Sequence, residues 1–392
     1  MSNQLAYAII TPYSLHKSRT GGILARLISR TGLDLVAARM FAPSPELVGK
    51  YASIIVSSND PQDRRIQELI RDYILKNFTP HPVTHQRRRV MVLLFRGEDA
   101  VRKVRGVVGN FSLTRVGGET IRDTYGDLLF DEPDHEKVRY FEPAVLAAPN
   151  PQEAEEKLRL WSSYSESDGG LLENVITYPQ EARPERTLVL IKPDNFRFPT
   201  GRPGNVIDFF SRTGLFIVGI KVHRMSVAEA EEFYGPVREV LRTRFNGVTA
   251  AKAKAVLENE LKFDLPLEVT QQLGEMLGPL AGDYQFESII KFMSGRQPSL
   301  CEPALRTEPG TEKCIALVYE GVDAVRKIRE VLGPTDPSKA PPGSIRREFG
   351  LSIMINAAHA SDSAENAKRE MGIINFRSHE FRAIVTNALD AR

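Results

Sequence analysis

The chain contains itself twice, and that repeat limits its architecture more than any other feature. GEDAVRKVRGVVG at 97–109 aligns without a gap on GVDAVRKIREVLG at 321–333. The same offset carries Arg122 of GGETIRDTYG onto Arg346 of PGSIRREFG. Upstream, SRTGL at 29–33 returns as SRTGL at 211–215, and AIITP at 8–12 pairs with VLIKP at 189–193. The offset differs between the two regions, so the second copy carries extra residues between them. A repeat of this length implies duplicated domains rather than a solenoid of short units, and 392 residues suit two domains of ordinary size. Breaker residues concentrate in WSSYSESDGG (161–170) and QEARPER (180–186). The expected organisation is therefore a domain at 1–165, a linker at 166–185 and a domain at 186–392.

Composition narrows the function classes. A hydrophobic fraction of 42% supports a sizeable core, and a net charge of +2 gives no broad basic signature for nucleic acid. The HQRRRV run at 85–90 reads as a solvated loop before a strand. Two cysteines, Cys301 and Cys314, form no CxxC motif or disulfide framework, which suits a reducing compartment. No stretch approaches the roughly eighteen apolar residues of a membrane span, and MSNQLAYAII lacks the pattern of a targeting segment. The expectation is a soluble, cytoplasmic protein with no nucleic-acid or membrane partner.

Hydrophobic periodicity gives the second copy a repeating strand–helix order. TLVLIKP reads as a buried strand, and GNVIDFFSRTGL as a helix with Val206, Ile207 and Phe210 on one face and Gly214 at its end. FIVGIKVHRM alternates like a strand, and SVAEAEEFYG reads as a helix with Ser226 as N-cap. CIALVYEG is a strand, GVDAVRKIREVLG a helix, FGLSIMINAA (349–358) the last strand and DSAENAKREMG the last helix. The pattern alone gives an α/β sandwich and leaves the strand order open.

Polar residues of unusual type punctuate this pattern. Lys192 closes a strand, Arg329 lies in a helix, Thr335 follows the glycine that ends it, and Arg346 follows a Pro-Pro-Gly-Ser loop. Asn356 stands three residues before His359, and Glu370 eleven after it. Forked arginine donors, a compact lysine charge, and neutral Thr and Asn hydrogen bonds suit a polyphosphate. There is no GxxxxGK[ST] loop, so the positive charge must come from side chains. Beside these, His16, His81, His85, His135, His223 and His379 read as surface or satisfied core residues, and Asp362 as a capping residue.

With these residues in place, 186–392 resembles a nucleoside diphosphate kinase. The resemblance rests on ERTLVLIKPD, YEGVDAVRKIREVLGPTDPSKAPPGSIRREF and NAAHASDSAENAKREMG, with Asn-x-x-His followed by Ala-Ser-Asp-Ser as the active-site signature. It implies a fold of two ferredoxin-like domains, each an antiparallel four-stranded sheet covered by helices. It implies ping-pong transfer of the γ-phosphate of ATP or another nucleoside triphosphate to a nucleoside diphosphate through phosphohistidine at His359. Glu370 would orient the ring, and Lys192, Tyr234, Arg329, Thr335, Arg346 and Asn356 would hold the nucleotide. Magnesium would bridge the β- and γ-phosphates, with no protein ligand of its own. The chain departs from the family at two insertions, about 235–282 and 296–313. The base-stacking position holds Gln285, leaving Tyr284 or Phe286 to stack. The alternative reading is a non-catalytic nucleotide-binding or scaffold protein of the same fold.

The first copy departs further. Thr11 stands at the Lys192 position and Phe111 at the Thr335 position, Arg105 and Arg122 survive, and FEPAVLAAPNPQEAEEKL (141–158) has no histidine. It reads as a silent copy that supplies a subunit contact within one chain. Three such chains would then imitate the family's hexamer as a homo-oligomer.

Overall fold

The computed structural model describes residues 3–111, 118–131 and 137–390. They divide into two compact units, Met1–Val222 with Ile315–Arg392, and His223–Cys314.

The first part of the chain runs β1 (Asn3–Ile10), α1 (Pro12–His16), α2 (Thr20–Thr31), β2 (Asp34–Phe41), α3 (Pro45–Ser53), α4 (Arg64–Asn77), β3 (Val90–Glu98) and α5 (Ala100–Val108). It continues through α6 (Ile121–Tyr125), β4 (Asp127–Phe130), β5 (Val138–Glu142), β6 (Val145–Ala147) and α7 (Pro151–Ser163). The second part runs β7 (Pro184–Ile191), α8 (Arg202–Phe210), β8 (Phe216–His223), α9 (Val227–Leu261), α10 (Leu267–Ser294), β9 (Cys314–Val322) and α11 (Ala324–Leu332). It ends with α12 (Ile345–Phe349), β10 (Ala358–Ala360), α13 (Ala364–Ile374) and α14 (Phe381–Asp390).

Each part builds a four-stranded sheet, ordered β2-β3-β1-β6 in one and β8-β9-β7-β10 in the other. These are the same arrangement, and the β1–β3, β1–β6, β2–β3, β7–β9 and β7–β10 pairs are antiparallel. The two antiparallel sheets predicted from the resemblance are present. The SRTGL words end alike in both copies, after an α-helical turn in the first and a 3-10 turn in the second. SRTGL ends a helix on a left-handed glycine, Gly32 at φ 64° and Gly214 at φ 68°, a position where a side chain would cost free energy. The central strands are buried on both faces, as their near-continuous apolar runs demand.

α2 and α8 pack one copy on the other through glycines. A Cβ on Gly21 would lie 2.7 Å from Asp208 Cα, and one on Gly204 would lie 2.7 Å from Ala25 Cα. Backbones can approach this closely only without side chains between them. Arg39 holds three separate stretches of backbone together: its guanidinium donates to the carbonyls of Ser165 (2.8 Å), Gly169 (3.1 Å) and Phe376 (3.2 Å).

Two elements differ from the sequence expectation. The apolar run 349–358 is not one strand: only Ala358–Ala360 joins the sheet. Residues 351–355 bend back, with Leu351 N and Ser352 N both donating to the Ile355 carbonyl. The Lys192 ammonium and the Asn356 amide engage the Met354 and Ile353 carbonyls, so those groups are held by side chains rather than a ladder. The second difference is α14, which the sequence reading does not contain. It packs on the first copy, where Phe381 meets Phe41 at 5.7 Å and Phe41 meets Trp161 at 5.1 Å between ring centroids.

In the other unit, residues 235–282 are helical except for the turn at 262–266. α9 starts at a capping box between Ser226 and Glu229, as the N-cap expectation requires, and extends to Leu261. Residues 296–313 carry only short 3-10 turns, Pro298–Leu300 and Pro303–Leu305. Among the described residues no helix is long and apolar enough to cross a membrane.

Candidate functional site

Strand β10 is three residues long and carries His359 at its centre, paired with Leu190 of β7. The short strand follows from what precedes it. Ala357 takes a left-handed φ of 69°, and its carbonyl accepts from Lys192 N at 2.9 Å. Ser363 then caps α13 by accepting from Asn366 N at 3.1 Å. The helix returns Glu370 to the histidine, so Nε2 of His359 lies 3.1 Å from Glu370 Oε2. Ser361 Oγ donates to the same oxygen at 2.6 Å. Glu370 is buried, whereas the His359 side chain keeps 24% of its surface open.

The remaining polar residues form a connected network beside β10. Lys192 donates to Asn356 Oδ1 at 3.0 Å, and Asn356 Nδ2 donates to the Thr335 carbonyl at 3.1 Å. Arg346 donates to the Gly333 carbonyl at 3.0 Å and to the Ala358 carbonyl at 3.1 Å. Its second hydrogen bond ties it to the residue before His359. Burial, with Arg346 adding repulsion, pushes the Lys192 ammonium down to about 8. Asp362 accepts from Asn366 Nδ2 at 2.6 Å. That bond, with Arg329 as a lesser cause, holds its carboxyl below the ordinary range. Arg329 is exposed on α11. The donors here are cations, amides and hydroxyls, a set that fits phosphate oxygens and, through them, a magnesium ion carried by the nucleotide.

Three further candidates lie in the other unit. Tyr234 is on α9, its ring 5.0 Å from Phe233. Tyr284 on α10 is 72% exposed, whereas Phe286 is buried beneath the Arg238 guanidinium, 5.6 Å from its ring.

The first copy has the same scaffold and different contents. Ala144, at φ 58°, accepts from Thr11 N at 3.1 Å, as Ala357 does from Lys192. The ladder then places Leu146 opposite Ile9, the counterpart of the His359–Leu190 pair. Arg122 repeats the contacts of Arg346, donating to the Gly109 carbonyl at 2.8 Å and the Val145 carbonyl at 3.3 Å. Its guanidinium also lies 4.3 Å from the Phe111 ring, and burial lowers its pKa well below the usual arginine value. Glu142 is buried beside Thr11. Its carboxylate accepts from Thr11 Oγ1 at 2.8 Å, Tyr73 OH at 2.6 Å and Ala144 N at 2.9 Å. Burial is the main influence on that carboxyl and raises its pKa. The sequence reading missed Leu146, Glu142 and Tyr73, because their roles depend on strand register and on α4 reaching over the sheet. His135 lies outside the described residues.

Comparison with known proteins gives a consistent answer. The nucleoside diphosphate kinase family model matches residues 185–258 and 306–381, two segments that leave out the end of α9 and the whole of α10. A nucleoside diphosphate kinase of Staphylothermus marinus is 33% identical over 190 residues, which cover 48% of this chain and 92% of that protein. One from Saccharolobus solfataricus is 31% identical over 189 residues, 48% of this chain and 93% of that protein. A solved NDP kinase from Pyrobaculum aerophilum is 27% identical, covers 49% of this chain and 95% of that chain, and superposes with a TM-score of 0.34. A histidine at the centre of β10, 3.1 Å from a buried glutamate and beside a lysine–asparagine–arginine network, accompanies relatives above 30% identity matched over nearly their whole length. On these grounds the chain belongs to the nucleoside diphosphate kinase family.

Proposed function

We propose that the protein transfers the γ-phosphate of a nucleoside triphosphate to a nucleoside diphosphate, with His359 carrying the phosphoryl group between the two. The observation that carries this reading is the Glu370 carboxylate. It is buried and faces Nε2 of His359, so the proton rests on Nε2 and the nucleophilic lone pair falls on Nδ1. The Nδ1–P bond forms as the bond to the β-phosphate bridging oxygen breaks. The diphosphate leaves with that electron pair, and the second half-reaction reverses the step onto a new diphosphate. Ring charge that develops on phosphorylation is stabilised through Nε2–H and Glu370. Lys192, Arg329 and Arg346 supply cations for the equatorial phosphate oxygens, and Thr335 and Asn356 supply orientation. Tyr234 contributes to nucleotide binding in this reading. Magnesium, when bound through the nucleotide phosphates, neutralises their charge.

The chemistry belongs to the second domain, at about 186–392. The first domain, at about 1–165, has a leucine at the nucleophile position and a buried glutamate bonded to Thr11 at the lysine position, and we assign it a scaffolding role. ATP and other nucleoside tri- and diphosphates are the proposed partners, and the reducing cytoplasm is the proposed location, where Cys301 and Cys314 stay thiols. Incubation with γ-labelled ATP should give an acid-labile, base-stable phosphoprotein that His359→Ala abolishes along with turnover. Phosphotransfer at the wild-type rate in His359→Ala would refute the assignment. Nucleotide binding without any phosphoenzyme in the wild type would favour the scaffold reading.

A further inference from the structure

The α9–α10 hairpin has its amphipathicity reversed. α10 turns its glycines toward α9: a Cβ on Gly274 would stand 2.6 Å from the Asn246 carbonyl oxygen, and one on Gly282 would stand 2.5 Å from Arg242 Cα. The large apolar side chains of α10 therefore fall on the opposite face. Met276 is 71% exposed, Leu280 67% and Tyr284 72%, with Val269 and Leu277 also open. A helix in a finished fold normally buries such a stripe and shows small or polar residues outward.

The spacing of the stripe identifies its cover. Val269, Leu273, Met276, Leu277, Leu280 and Tyr284 read the same in both directions about the midpoint between 276 and 277. An antiparallel pair of α10 helices with a two-fold axis there sets Val269 against Tyr284, Leu273 against Leu280, and Met276 against Leu277. A two-fold contact requires this self-complementarity, since residue i must meet j while j meets i. The charges obey the same symmetry. Glu268 falls opposite Gln285, Glu275 opposite Gly278, and Asp283 opposite Thr270, so no acidic residue meets another. The stripe offers on the order of 600 Å² of apolar surface per chain, or about 1,200 Å² for a pair, which reaches the lower bound of a stable specific interface. The acidic rim argues against an anionic lipid surface as the cover.

We propose that two copies of this chain associate through an antiparallel contact between their α10 helices, centred on Met276 and Leu277. This interface is additional to any assembly through the kinase-type sheets.

The test uses the full chain. Analytical ultracentrifugation should give a mass that halves in Met276→Glu/Leu280→Glu, with helical content and phosphotransfer rate retained. In a Cys301→Ser background, Met276→Cys lies beside the axis and should form a disulfide-linked dimer under mild oxidation. Val256→Cys, on an equally open α9 position at 67% exposure, should stay monomeric on a denaturing gel. Wild-type mass unchanged by the double substitution, or equal cross-linking at positions 256 and 276, would overturn the proposal. So would wild-type flotation with phosphatidylcholine vesicles that the double variant loses, since lipid would then be the cover.

Discussion

Replacing Gly204 with alanine sets two physical effects against each other, and the structure decides the sign. By helix propensity alone the change should stabilise, because alanine exceeds glycine by about 1 kcal/mol in a helix interior. Gly204 lies in α8, where that gain would apply. Its Cβ, however, would lie 2.7 Å from Ala25 Cα and nearer still to the Ala25 nitrogen and Gly21 carbonyl of α2. These are backbone atoms, with no side chain to swing aside, and ordinary contact needs roughly 3.5–4 Å. The two helices must part by about 1 Å, and overpacking of this kind costs about 1–3 kcal/mol beyond the propensity gain. Gly49, in α3, is the control, since a Cβ there meets nothing within 4 Å. Gly49→Ala should stabilise by up to about 1 kcal/mol, whereas Gly204→Ala should destabilise. The readout is already in the chain: its one tryptophan, Trp161, is 1% exposed within the Phe41–Tyr51–Phe381 cluster. Urea unfolding followed by Trp161 fluorescence should show a lowered midpoint for Gly204→Ala and a raised one for Gly49→Ala. Equal midpoints, or stabilisation by both, would mean that the α2–α8 contact is looser than described and that the first copy's stability does not depend on it.

Other consequences concern the site and the C-terminus. Lys192 loses its charge near about 8 in the free protein, so kcat/KM should fall as pH rises through that value. Bound phosphates favour the ammonium, so kcat should fall only at higher pH, and Lys192→Arg should flatten the kcat/KM limb. The folded pKa lies below the ordinary 10.5, so the unfolded chain binds more protons between about 8 and 10.5, and this group makes stability rise with pH across that window. Glu370→Gln removes the charged acceptor facing His359 and should lower kcat by roughly 10- to 100-fold, the value of a hydrogen bond to a charged group; stopped-flow phosphoenzyme formation should slow equally, and an unchanged rate would exclude the orienting role. Phe381→Ala empties a site that is 2% exposed and should cost about 3–5 kcal/mol, seen by Trp161 fluorescence although residue 381 lies more than two hundred positions away. No change would show that α14 is not part of the first copy's core.

Much of this protein could be read locally. The repeated SRTGL and AVRK words are conformational instructions, a left-handed glycine stop and an amphipathic helix, and each acts within a few residues. The order of Lys192, Arg329, Thr335, Arg346, Asn356, His359 and Glu370 is likewise a linear pattern, so the sequence sufficed to propose them. What it could not supply was register and reach. Only strand pairing reveals that Leu146 holds the histidine's position in the first copy, and only tertiary packing brings Tyr73 and Glu142 together there. The run 349–358 looks like a strand because it is apolar, yet Lys192 engages its Met354 carbonyl from far along the chain and Asn356 turns back onto that of Ile353. α10 carries the same lesson in reverse. Its periodic leucines are plain in the sequence, but which face they occupy was settled by the glycines, which let α9 approach on the other side.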